Sequence, residues 1–276
     1  MTQTKFKIAI LIDGDNVEAS IIEQMLNEAS KFGRVTIKRI YGDWTSQHMR
    51  SWKNQLNRFA IRPMQKFSYT KGKNSTDSAL IIDAMDIMHS KLVDGFCLVS
   101  SDSDYTGIAH RLREEGFYVM GIGKSYTPEP FVKACENFIY TEILVPSIES
   151  STTNVTKKDK LNQDKEKVKK FQIKIPKLPE PEFIEKIDST SLIINKITNK
   201  PIDITLIDNA FKMIVDDLTG LAFAAQLGSA IRKIDSTFDP RNFGFNSFRK
   251  FLEAIKPRYE IVLHDDKSTI SVRKKE

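Results

Sequence analysis

The sequence predicts an α/β fold, a parallel sheet with helices on both faces, followed by a small C-terminal winged helix-turn-helix domain. Short apolar runs without polar alternation, such as Ile8, Ala9, Ile10, Leu11 and Ile12, are what strands covered on both faces look like. These runs alternate with helix-like segments from residue 6 to about 141, the signature of βαβ units. Beyond a change of composition near Val145, a second and smaller pattern of helical segments and two strand-like runs follows.

The expected strands of the first part cover residues 6–12, 34–41, 61–67, 95–100 and 117–122. Between them, "EASIIEQMLNEASKF" sets Ile21, Ile22, Met25, Leu26 and Ala29 on one helical face. "TDSALIIDAMDIMHSKL" repeats the pattern with Leu80, Ile81, Ala84, Met85 and Met88, so both read as crossover helices. Residues 1–145 are therefore expected to form one domain. Residues 146–190 gain Ser, Thr, Lys and Pro, as in "SSTTNVTKKDKLNQDKEKVKK" and "KIPKLPEPEF", and read as a flexible linker with a stiff proline-rich end and room for a short helix over 160–170. Residues 191–276 complete the organisation. There "ITLIDNAFKMIVDDLTG" is a helix closed by a C-cap glycine, "LAFAAQLGSAIRKI" and "SFRKFLEAI" are two more, and "YEIVLHDDKSTISVRK" is a hairpin around an Asp-Asp-Lys turn. Three helices and a hairpin outline a winged helix-turn-helix.

The totals bound the function. With 276 residues and 40% hydrophobic content the chain has enough apolar material for two cores. It has no apolar run of transmembrane length, and "MTQTKFKIAILIDGDN" is too short in apolar residues for a signal peptide, so a cytoplasmic location and no membrane partner are expected. Cys97 and Cys135 lie in apolar segments without CxxC or Cys/His spacing, which suggests buried thiols rather than zinc or a disulfide. A net charge of +6 permits an acidic partner such as nucleic acid without demanding one.

The informative chemistry is acidic. "ILIDGDN" ends a buried strand in Asp13, Asp15 and Asn16, and "GFCLVSSDSDYTGIAHRL" ends another in Asp102 and Asp104. In parallel sheets the loops after the carboxyl ends of the strands carry the ligand site. If the first strand lies beside the fourth, with the second and third on its other side, Asp13 and Asp102 face each other at the topological switch point. Asp77 in "KGKNSTDSALIIDAM" opens the helix leading into the fourth strand, and points into the same crevice. Taken singly, each acid is an ordinary turn, N-cap or first-turn residue. Three or four carboxylates converging at one place repel one another unless a cation joins them. Hard oxygen donors without Cys or His select Mg²⁺ or Mn²⁺ over zinc. Asp43, Asp83 and Asp86 are read as structural.

In this order and spacing, "ILIDGDN", "KGKNSTDSALIIDAM" and "LVSSDSDYTGIAHRLREEGFYVMGIG" resemble the NYN (LabA-like) domains of the PIN-like nuclease superfamily over about residues 5–142. The resemblance implies a PIN-like, Rossmann-like sheet, Asp13, Asp77, Asp102 and Asp104 as the metal-binding acids, and Asn16 as their polar companion. It also implies a metal-dependent ribonuclease whose hydrolysis leaves a 5′-phosphate. Tyr105 stands where many relatives have Phe, and "KGKNSTD" is longer than the compact form of that loop. Lys71 and Lys73, just before Asp77, are placed to meet backbone phosphates.

Two other readings share these residues. An apolar run followed by Asp-Xaa-Asp also resembles the haloacid-dehalogenase-like phosphatases, in which Asp13 would attack phosphorus and Asp15 would serve as acid/base. That family needs a Ser or Thr ending the next core strand, where this chain has "IYGDW". The other is a non-catalytic RNA-binding adaptor with a vestigial acidic site.

"AFAAQLGSAIRKIDSTFDPRNFGFNSFRKFLEAI" resembles the OST-HTH, or LOTUS, domain over about residues 200–275. Phe238, Phe243, Phe245 and Phe248 read as packing residues, with Gly244 allowing a tight turn. The resemblance implies RNA binding or, in some relatives, docking of a protein partner. The exposed candidates for RNA contact are Arg232, Lys233, Arg241, Arg249, Lys250 and Arg273.

Overall fold

The computed structural model describes residues 6–66, 75–145, 192–194, 201–264 and 269–275. The first part runs β1 (Lys7–Asp13), α1 (Ile22–Phe32), β2 (Arg34–Gly42), α2 (Lys53–Phe59), β3 (Arg62–Gln65), α3 (Ser75–Ser90), β4 (Gly95–Val99), α4 (Thr106–Glu114), β5 (Tyr118–Gly123), α5 (Glu129–Ala134) and β6 (Asn137–Tyr140). Its six strands form one sheet in the order β3-β2-β1-β4-β5-β6, and every pairing in it is parallel.

The unbroken apolar run of β1 follows from this position. Ile8, Ile10 and Ile12 pack with Ile22 and Met25 of α1 on one face, while Ala9 and Leu11 pack with Leu80 and Ala84 of α3 on the other. A strand at the centre of a parallel sheet has no solvated face to give polar residues. Ile12 lies opposite Val99, so Asp13 and Ser100 leave the sheet side by side. This is the switch point expected from the order of the strands.

Two elements of the sheet differ from expectation. β3 covers only Arg62–Gln65, and β6 was not foreseen. Both are four-residue strands at the edges of the sheet, too short to show a hydrophobic period.

The second part comprises β7 (Leu192–Ile194), β8 (Pro201–Asp203), α6 (Ile204–Lys212), β9 (Leu221–Phe223), α7 (Ala224–Ile234), α8 (Phe248–Ala254), β10 (Tyr259–Leu263) and β11 (Ile270–Lys274). β7 pairs with β8, and β10, β11 and β9 form a second antiparallel sheet. Together with the three helices, the β10–β11 hairpin outlines the expected winged helix-turn-helix, to which β9 adds a third strand of the sheet and β7 and β8 a separate two-stranded one. α6 stops at Lys212, well before Gly220. Asp216 accepts hydrogen bonds from the Leu218 and Thr219 amides and builds a turn in which Gly220 has a φ of 64°. The four phenylalanines gather around Phe251, with ring centroids 5.1 to 5.9 Å from it. Gly244 adopts a φ of 79°, which only glycine enters freely.

Met1–Val145 and Leu192–Glu276 belong to one compact unit. The expected linker and the helix within it, and the Asp-Asp-Lys turn, lie outside the described residues.

Candidate metal centre

Asp13 is fully buried at the end of β1. One of its carboxylate oxygens accepts from Asn16 Nδ2 at 2.8 Å and from Ser100 Oγ at 2.9 Å. The turn that returns Asn16 to Asp13 requires Gly14: a Cβ there would lie 2.8 Å from the Tyr41 carbonyl oxygen, and the Gly14 amide donates to that same oxygen. Burial pushes the Asp13 carboxyl up, the Asn16 and Ser100 hydrogen bonds pull it back, and the charges of Asp77 and Asp15 push it up further; the net shift is upward.

Ser100 joins the two strand ends. Its hydroxyl donates to Asp13 and accepts from the Asp102 amide at 3.1 Å. Asp102 then caps a 3₁₀ turn, Ser103–Tyr105, by accepting from the Asp104 amide at 2.9 Å. That turn presents Asp104 to solvent and sends Tyr105 inward, where its hydroxyl donates to Asp77 Oδ1 at 2.7 Å. Asp77 is in the first turn of α3 and 9% exposed. Its carboxyl is raised by burial, lowered by the Tyr105 hydrogen bond, and raised again by the charges of Asp102 and Asp104, with a net upward shift.

Asp77, Asp102 and Asp104 each offer a carboxylate oxygen, and the three atoms lie within 4.8 Å of one another. Adjacent ligands of an octahedral ion about 2.1 Å away sit about 3 Å apart and opposite ones about 4 Å. The trio therefore fits a small divalent cation after modest side-chain rotation, and its all-oxygen donors suit Mg²⁺ or Mn²⁺. Asp13 lies outside this trio of mutually close oxygens.

Sequence reasoning missed Ser100, Thr76, which donates to Asp15 at 2.8 Å, and the tie from Tyr105. Ser100 had a usable signal: it is the first polar residue after the fourth apolar run, the place Asp13 holds after the first. Asp83 accepts from Arg39 and Tyr41 and Asp43 caps its own turn through Thr45, so both serve structure.

Of the basic candidates, Lys71 and Lys73 lie outside the described residues. Arg232 and Lys233 stand in the last turn of α7, and Arg249 and Lys250 are exposed on α8. Arg273 faces Glu260 at 3.8 Å. Arg241 is held by Asp239 and Glu28.

Among the described residues no helix is long and apolar enough to cross a membrane. The family model of the NYN domain matches residues 7–149, and that of the OST-HTH/LOTUS domain matches residues 204–271. No curated protein matches the chain. Among solved structures, a protein of unknown function from Vibrio parahaemolyticus is similar at 23% identity and a TM-score of 0.43, over 50% of this chain and 94% of that one.

Proposed function

Because the chain belongs to the NYN domain family, a branch of the PIN-like nucleases, we propose that it is a metal-dependent ribonuclease with an RNA-binding C-terminal module. The observation that carries this reading is the convergence of Asp77, Asp102 and Asp104 at the carboxyl edge of the sheet. In this reading residues 1–145 cut, residues 191–276 hold RNA, as OST-HTH/LOTUS domains do, and 146–190 connect them. The work is cytoplasmic.

Asp77, Asp102 and Asp104 would hold Mg²⁺ or Mn²⁺, which would orient water toward phosphorus and offset charge on the phosphoryl oxygens. The chain's own residues prepare the place. Tyr105 holds the Asp77 carboxylate from behind, and the Asp104 amide holds that of Asp102. Ser100 and Asn16 hold the Asp13 carboxyl in place beside the acids, and in its ionised form it would deepen the negative field felt by an entering cation. Burial of Asp13 counts against the phosphatase reading, since a nucleophile must reach phosphorus.

The test is incubation of the purified protein with single-stranded RNA in Mg²⁺ or Mn²⁺, with and without chelator. Cleavage that leaves 5′-phosphates and stops with chelator supports the proposal. RNA binding without cleavage in either metal would replace it with the adaptor reading, and phosphatase activity lost in Asp15→Asn would replace it with the dehalogenase-like one.

A further inference from the structure

The two parts of the chain meet directly. Arg241 of the C-terminal part grips Glu28 of α1 with two nitrogens, at 2.6 and 3.2 Å, and Asp239 holds the same guanidinium at 2.7 Å. Glu28 is 6% exposed. A second contact closes the edge of the sheet: the Phe138 amide of β6 donates to the Ser236 carbonyl at 2.9 Å, and Ser236 Oγ donates to the Val132 carbonyl at 3.3 Å. An exposed edge strand invites unwanted pairing, and Ser236 occupies this one.

Beside this junction lies a cleft of about 530 Å³ lined from both sides, by Arg113, Tyr118, Lys133 and Glu136 of the first part and by Arg232 and Lys233 of α7. Four cations face one acid. Only Arg113 approaches it, with Nε 3.9 Å from Glu136. Lys133, Arg232 and Lys233 have no ion pair among the described residues. Like charges gathered around a concavity with so little compensation favour a polyanion there. Two of them are guanidiniums, whose forked donors match phosphate oxygens.

We propose that this interdomain cleft is a composite site for the phosphate backbone of RNA, made only when the two domains are docked. It rests on the reading of RNA as substrate, and it adds where the strand runs. Tyr118 heads β5 and Glu136 precedes β6, so the cleft is at the amino ends of the strands, opposite the acids. Six residues of β5 at about 3.3 Å each separate the two ends by about 20 Å. RNA long enough to span that distance meets the cleft and the acids together, and a shorter one meets only one of them at a time.

Binding of a fluorescent 30-nucleotide single-stranded RNA to the full chain, in chelator and over a range of salt, tests this. Arg113→Gln with Lys133→Gln, and separately Arg232→Gln with Lys233→Gln, should each reduce the salt slope by about 1.4 and weaken binding about 25-fold at 0.1 M salt. Wild-type affinity and slope in both double variants would overturn the proposal. So would loss confined to the α7 pair, which would make the site a property of one domain. Competition by polyglutamate matching that by unlabelled RNA would assign the cleft to an acidic polypeptide instead. A wild type that binds in this way but never cleaves RNA would overturn the nuclease reading and leave the cleft standing.

Discussion

Replacing Asp102 by asparagine should stabilise the metal-free protein and remove most of its stabilisation by Mn²⁺. The carboxylate oxygens of Asp77, Asp102 and Asp104 lie within 4.8 Å of one another. At about that separation two unit charges repel by about 0.9 kcal/mol in a water-like medium and about 3.5 kcal/mol at an effective dielectric of about 20. Asp102 has two such neighbours and is half-buried, which places each repulsion toward the lower figure. Neutralising it should therefore gain about 1–2 kcal/mol at low ionic strength, or about 2–8 °C in Tm for a protein of this size. Asparagine keeps the cap, because its Oδ1 accepts from the Asp104 amide as Asp102 does at 2.9 Å. Calorimetry in chelator at low salt, repeated with Mn²⁺, measures both effects. The wild type should gain about 2.7 kcal/mol at a hundredfold excess of Mn²⁺ over its Kd, and the variant far less. An Asp102→Asn protein that melts below wild type in chelator yet shows the same Mn²⁺ shift would refute the reasoning.

Tyr105→Phe deletes the donor to Asp77 and should cost about 1.5–3 kcal/mol, the usual worth of a hydrogen bond to a charged group; an unchanged urea midpoint would count against the tie. Burial pushes the Asp208 carboxyl up, but hydrogen bonds from Arg258, Lys274 and Tyr259 outweigh it and hold the group well below its ordinary value of 3.8. Its contribution is thus fully present above about pH 4 and lost as pH falls through the depressed folded value. Asp208→Asn should lower stability by about 2 kcal/mol at pH 7, with the gap narrowing below pH 4; a gap independent of pH would show that the network acts by packing alone. Glu28→Gln weakens the grip of Arg241, so calorimetry should resolve separate melting of the two parts, where an unaltered single transition would mean that the Ser236 contacts suffice.

The sheet was legible because a central parallel strand has no solvated face, and the run from Ile8 to Ile12 says so directly. One edge, β3, was legible apart from its bounds, and the other, β6, was not, since the four residues "NFIY" carry too little pattern and depend on what covers them. The acids were legible from repetition, two strands ending in aspartates and one helix opening with another. Their individual contacts were not. That Asn16 and Ser100 bond the buried Asp13 while carboxylate oxygens of Asp77, Asp102 and Asp104 come within 4.8 Å of one another depends on side-chain contacts and a 3₁₀ turn that no spacing announces. Arg241 reads as a surface cation until Glu28, 213 residues away in sequence, is seen to hold it.

The rate of cleavage of one single-stranded RNA against Mn²⁺ concentration, for wild type and Asp77→Asn, tests the central claim most directly. The wild type should show saturable metal activation that chelator abolishes, and the variant should remain near the uncatalysed rate at Mn²⁺ levels that saturate the wild type. Equal metal-dependent cleavage by both proteins would contradict the assignment of the Asp77, Asp102 and Asp104 trio as the metal centre.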